Sequence, residues 1–79
     1  MRKNNIPLGE LEIGDRCIVK SLKSKGRDRR RMLDLGIVTG TKIEVILKSY
    51  SGSPKAYLIR GALIALRKED ANKIIVKLL

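Results

Sequence analysis

The densest chemistry in the chain lies between Lys20 and Arg31, where Lys20, Lys23, Lys25, Arg27, Arg29, Arg30 and Arg31 meet a single acid, Asp28. Clustered guanidinium groups suit one task above others, the gripping of carboxylates or phosphates. Other chemistries are thinly supplied. With no His and one Cys, Cys17, the chain cannot build a His-containing triad, a Cys-based zinc site or an internal disulfide. Glu10, Glu12 and Asp15 form the one local carboxylate cluster, while Glu69 and Asp70 are adjacent and so diverge. Iron(II) favours His, carboxylate and thiolate ligands, and no such set converges here. The expectation is therefore no catalytic residue, no cofactor site and no metal site. A phosphate-binding Gly-rich loop ending in Lys-Ser/Thr is also absent, so the chain is not itself a GTPase.

The arginines are placed where helix stability would not put them. From Arg27 to Leu35 the pattern suits a helix of two to three turns, with Asp28, Met32 and Leu35 on one side and Leu33 beside them. Arg27, Arg30, Arg31 and Asp34 fall opposite. Cations in the first turns oppose the helix macrodipole, at about 0.3–1 kcal/mol each at low salt. Arg27 and Arg31 are a like-charge i,i+4 pair, and Arg30 with Asp34 has the less favourable order. A solvated face that keeps the chain soluble is the plain reading. The sharper one is that Arg27, Arg30 and Arg31 face an acidic or phosphate-bearing partner. A second candidate contact is the loop Tyr50, Ser51, Gly52 and Ser53, because exposed Tyr is enriched at interfaces. Tyr57 reads as packing.

These groups need a small scaffold. Residues 1–7 read as a disordered arm, and 8–79 as one domain. Leu8 and Leu11 pin a turn, and Gly14-Asp15 leads into a strand over Arg16–Leu22 with Cys17 and Val19 on one face. Gly36 stands where a C′ glycine ends a helix, with Ile37 folding back as in a Schellman motif. After the Thr39-Gly40 turn, Ile43, Val45 and Leu47 alternate with Lys42, Glu44, Ile46 and Lys48, the period of a half-buried strand. Strands at 56–59 and 62–67 flank Arg60-Gly61 as a tight hairpin, with Gly61 supplying positive φ. Residues 68–73 read as a single helical turn, and 74–79 as a closing strand. Five short strands and one inserted helix predict a mainly β fold, a small SH3-like barrel, with an OB-type barrel as competitor.

Composition agrees. The chain has 79 residues, 43% of them hydrophobic, with 18 basic against 8 acidic side chains and a net charge of +10. Its aromatics are Tyr50 and Tyr57 alone, so the core must be aliphatic. One Cys, no signal peptide and no apolar run of about 20 residues point to the cytoplasm. A basic nucleic-acid-binding barrel is one alternative. The strand faces, however, lack the stacking aromatics of single-strand binders, and no basic-region helix is long enough to read a groove. Attraction to an anionic membrane surface is a further mode that the charge supports.

Two runs carry a family resemblance: Arg31-Met32-Leu33-Asp34-Leu35-Gly36-Ile37-Val38-Thr39-Gly40-Thr41-Lys42-Ile43-Glu44-Val45-Ile46, and Ala56-Tyr57-Leu58-Ile59-Arg60-Gly61-Ala62-Leu63-Ile64-Ala65-Leu66-Arg67-Lys68-Glu69-Asp70-Ala71 followed by Ile74-Ile75-Val76. In this order they resemble the FeoA family, from about Leu8 to Val76. The resemblance implies a small cytoplasmic SH3-like protein of bacterial ferrous iron uptake, without enzymatic activity. It also implies a partner, the membrane transporter FeoB with its cytoplasmic GTPase domain. The same domain type closes metal-dependent repressors, so a metal-responsive regulatory module is a second alternative. Metal binding is a label of the family and not of a ligand set found in this chain. Thr39 stands where relatives often have Pro, and Gly52-Ser53-Pro54 where they often have Gly-Asp-Pro. Oligomeric state is left open by the sequence.

Overall fold

A computed structural model describes residues 4–79. Six strands run as β1 (Ile6–Pro7), β2 (Arg16–Leu22), β3 (Lys42–Lys48), β4 (Lys55–Ile59), β5 (Ala62–Leu66) and β6 (Ile74–Leu78). Helix α1 spans Gly26–Asp34 between β2 and β3, helix α2 spans Lys68–Ala71 between β5 and β6, and a 3-10 turn covers Leu8–Glu10. The strands form one antiparallel sheet in the order β1-β6-β2-β3-β4-β5.

Two features depart from the sequence reading. The arm expected over residues 1–7 lies outside the described residues at 1–3, but Ile6 and Pro7 pair with Val76 and Ile75. They add a sixth, two-residue strand to the expected five. Second, the hydrogen-bonded order does not close on itself, and leaves β1 and β5 as its edges.

The sheet bends at two register shifts, between Val19 and Ser21 in β2 and between Val45 and Leu47 in β3. An extra residue at such a bulge kinks the strand and re-aims the side chains beyond it. Cys17 and Val19 point inward as expected, as do Ile43 and Val45, but Leu47 lies past the shift and is 55% exposed. Unbroken alternation would have buried it. The core joins Leu8 and Leu11, Cys17 and Val19, Ile43 and Val45, Tyr57 and Ile59, Leu66, and Ile74 and Val76. Met32, Ile37 and Ala71 seal it from the helix side.

The end of α1 is a local motif read correctly from Gly36-Ile37. The Ile37 N–H donates to Met32 O at 3.0 Å and the Gly36 N–H to Leu33 O at 2.9 Å, with Gly36 at φ +86°. This is the Schellman pair of bonds. The turn that follows is tied to β2: Gly40 N donates to Val19 O and Val19 N to Thr41 O, both at 2.8 Å. The Thr39 hydroxyl reaches Lys20 O at 3.3 Å, so the residue standing in place of Pro has a contact of its own.

Candidate docking surface

Helix α1 touches the core through Met32 alone among its fully buried residues. Leu35 packs half-buried at its end, while Leu33 is 41% exposed and Asp28 is also turned outward. The apolar side expected from Asp28 to Leu35 is thus narrower than the spacing suggested. A short helix at the sheet's margin meets the core only at its C-terminal half. Lys25, the residue before the helix, makes no side-chain cap, so the first-turn N–H groups are left to solvent beside a row of cations.

The arginines separate into two kinds. Arg31 Nη2 bonds Asp70 Oδ2 at 2.7 Å and so ties α1 to α2. Arg29 Nη1 donates to Leu22 O at 3.3 Å. Arg27 and Arg30 are exposed, and among the described residues neither has an ion-pair or hydrogen-bond partner. Arg31, grouped with them from sequence, therefore already has work inside the fold. A contact 39 residues away carries no signal in local spacing.

The loop after β3 also divides. Tyr50 stands fully in solvent at its tip. Gly52 N–H donates to Ser49 O at 2.9 Å, and the Ser51 hydroxyl donates to Ser53 O at 3.1 Å. Ser53 Oγ accepts the Lys68 N–H at 3.1 Å and so caps α2 from outside. Beneath the loop, a cleft of about 240 Å³ is lined by Lys48, Lys55, Tyr57 and Lys68, among others. Lys55 is committed there: its ammonium donates to Gly9 O at 2.9 Å and to Leu11 O.

Two residues that sequence reasoning did not single out as functional also shape the surface. Arg60, at φ +51° in the β4–β5 turn, lays its side chain over the end of α1 and donates from Nε to Gly36 O at 2.9 Å. A cation at the helix's negative end is well placed. Leu63, 56% exposed, pairs with Leu58, 39% exposed. The outward turn of Leu58 was available from its alternation with buried Tyr57 and Ile59.

The groups considered for metal or nucleophile chemistry have structural uses. Cys17 is buried, and its thiol donates to Ile43 O at 3.5 Å. Burial pushes that thiol up to about 12; the Asp15 charge adds to the effect and the hydrogen bond opposes it. It is not a thiolate at neutral pH. Asp15 Oδ2 accepts the Glu12 N–H at 2.8 Å, and Glu12 lies 3.8 Å from Lys48 Nζ. Among the described residues, no three His, Cys, Asp or Glu side chains gather into a metal-holding group. No helix among them is long and apolar enough to cross a membrane. The surface presents the exposed Arg27 and Arg30 on α1, the exposed Tyr50, and the outward-facing Leu58 and Leu63 on β4 and β5.

Comparison with known proteins places this geometry among relatives. A family model for the FeoA domain matches residues 6–78. An Fe(2+) transport protein A/Fe(2+) transporter FeoB fusion protein from Porphyromonas gingivalis is 36% identical over 72 residues, which is 91% of this chain and 8% of that protein. The chain thus spans under a tenth of the curated relative it matches. The NMR structure of an FeoA-like protein from Clostridium acetobutylicum superposes with a TM-score of 0.89 at 36% identity, covering 98% of this chain and 90% of that one. The zinc complex of FeoA from Stenotrophomonas maltophilia, a prokaryotic SH3 domain protein, superposes with a TM-score of 0.77 at 25% identity, covering 96% and 88%.

Proposed function

The chain belongs to the FeoA family, and on that premise we propose that it serves ferrous iron uptake as a non-enzymatic accessory that docks onto FeoB. The fusion in Porphyromonas gingivalis carries this reading, because there an FeoA-like segment and FeoB share one chain. Fusion holds two modules at a high effective concentration and is useful when they engage each other. A free copy of the module has to find the transporter by affinity instead.

The exposed Arg27 and Arg30 are the contact residues of first choice, facing an acidic patch on the transporter's cytoplasmic part. Tyr50, with Ser51 and Gly52 behind it, is the second contact. Arg31 and Ser53 act from within the fold, orienting α1 and α2 beside these contacts. Docking alters transport only if it favours one conformational or nucleotide state of FeoB over another, since a ligand shifts an equilibrium by no more than its difference in affinity.

The test is an amide-shift titration of the labelled protein with the cytoplasmic domain of the cognate FeoB near physiological ionic strength, with a DNA duplex as the matched control. Saturable shifts over 27–31 or 50–53 with the transporter domain alone support docking. Shifts with duplex alone replace it by nucleic-acid binding, whose affinity falls steeply with added salt. A stoichiometric spectral change with iron(II) in the absence of FeoB favours a metal-responsive module.

A further inference from the structure

The two edges of the sheet are protected very differently. Strand β1 is two residues long and contains Pro7, and a short strand with proline blunts an edge. Strand β5 is Ala62-Leu63-Ile64-Ala65-Leu66, five residues without charge, Pro or Gly. Among the described residues it pairs with β4 alone. Alternate residues of an antiparallel edge strand turn their N–H and C=O groups away from the sheet, and such a row is a template for another strand. Helix α1 does not cover it: between them lies a groove of about 420 Å³ lined by Arg31, Leu35, Ile64, Ala65, Leu66, Arg67 and Asp70.

Charge decides what kind of strand fits. The apolar run is bracketed by Arg60 on one side and by Arg67 and Lys68 on the other, while across the groove Arg31 is already paired with Asp70. A second copy of this chain is a poor occupant. Antiparallel pairing of two β5 strands brings the Arg60 end of each towards the Arg67–Lys68 end of the other, in molecules that each carry +10. Like charges brought together in this way repel. An extended segment with acidic ends and alternating apolar residues meets the opposite situation. Its ends face Arg60, Arg67 and Lys68, while its apolar side chains, all on one face of the added strand, lie beside Ile64 and Leu35 in the groove.

We infer that the free edge of β5 is a strand-addition site for an extended acidic segment of a partner protein. Backbone hydrogen bonds supply affinity in this mode, and flanking side chains supply choice. The inference goes beyond the reading above because it fixes the chemistry of the docked segment, whichever protein carries it.

A capped synthetic peptide, Glu-Asp-Val-Thr-Val-Thr-Val-Asp-Glu, tests it by amide-shift titration to about 1 mM, where any Kd near or below that value is visible. The expected result is saturable shifts centred on Ala62–Leu66, absent when alternate peptide amides are N-methylated and absent when Lys replaces its acids. Arg67→Glu should weaken the peptide about fivefold, the scale of reversing one exposed charge pair. Shifts that survive N-methylation would show side-chain filling of the groove and overturn strand addition. No shift at all overturns it too. Protection of the Ala62–Leu66 amides that rises with protein concentration, with dimer seen by sedimentation, would make a second copy the occupant and overturn the acidic assignment. Peptide binding without FeoB binding leaves this site standing and removes the proposed partner; FeoB binding that leaves β5 silent does the reverse.

Discussion

Neutralising the arginines of α1 should have opposite effects on stability depending on which arginine is chosen. Arg27 is the second residue of the helix, exposed, one turn before Arg31, and without a partner among the described residues. A cation there costs about 0.3–1 kcal/mol against the macrodipole at low salt, and the Arg27–Arg31 repulsion adds about 0.2–0.5 kcal/mol. Arg30 sits beyond the first turn, where the dipole has largely faded, and contributes little. Arg27→Gln with Arg30→Gln should therefore stabilise the fold by about 0.5–1.5 kcal/mol. At about 4–8 °C per kcal/mol for a domain of this size, the melting temperature rises by about 2–12 °C. In the Arg27→Gln background, where that repulsion is already gone, Arg31→Gln removes the 2.7 Å bond to Asp70. An ion pair this exposed is worth only about 0.2–1 kcal/mol, so the shift is small and of opposite sign. Thermal unfolding followed by circular dichroism, at about 20 mM and again at about 500 mM salt, reads both terms, because screening should remove most of the first. If the double variant is destabilised, or its gain is untouched by salt, the reasoning about misplaced cations is wrong. The same variant should lose affinity for the FeoB cytoplasmic domain while folding better, which separates a contact role from a structural one.

Three further outcomes follow from the packing. Gly36→Ala forces a Cβ into φ +86° and within 2.6 Å of Arg60 Cδ; the conformation costs about 1–2 kcal/mol and the displaced Arg60 bond about 1 kcal/mol. In an Arg60→Ala background that second cost has already been incurred, so a double-mutant cycle by urea unfolding should show about 1 kcal/mol of coupling. Met32→Ala removes the one fully buried side chain of α1 and should cost about 2–5 kcal/mol, read by the same unfolding. Burial raises Cys17 from 9.0 and Tyr57 from 10.0, each to about 12. Because the unfolded chain gives up these protons first, their stabilising contribution is complete below pH 9 and declines from there towards pH 12. The urea midpoint should fall across that range, and less steeply in Cys17→Ala.

Much of this architecture was legible in local spacing. Gly36-Ile37 announced its Schellman stop because both bonds close within the last helical turn. Arg60-Gly61 announced a hairpin because two residues between two apolar runs leave few other geometries. The alternation from Lys42 to Val45 placed Ile43 and Val45 inside for the same reason: a strand's side-chain period is two, whatever surrounds it. The strength of the basic run was visible too, and the argument from helix electrostatics singled out Arg27, Arg30 and Arg31 together. Each of these signals is carried by residues within a few positions of one another.

What needed the tertiary structure involves partners far apart along the chain. Leu47 turned outward because a bulge against β4 re-aimed the strand, and bulge position depends on the partner strand's register. Ile6 and Pro7 joined the sheet through Val76 and Ile75, some 70 residues away. Arg31 left the set of free arginines because Asp70 came within 2.7 Å, and Ser53 became the cap of a helix that begins at Lys68. The open edge of β5 is the plainest case. An apolar run such as Ala62–Leu66 reads as a strand in either setting, but only the order of the sheet decides whether its second row of backbone groups is paired or left free to bind.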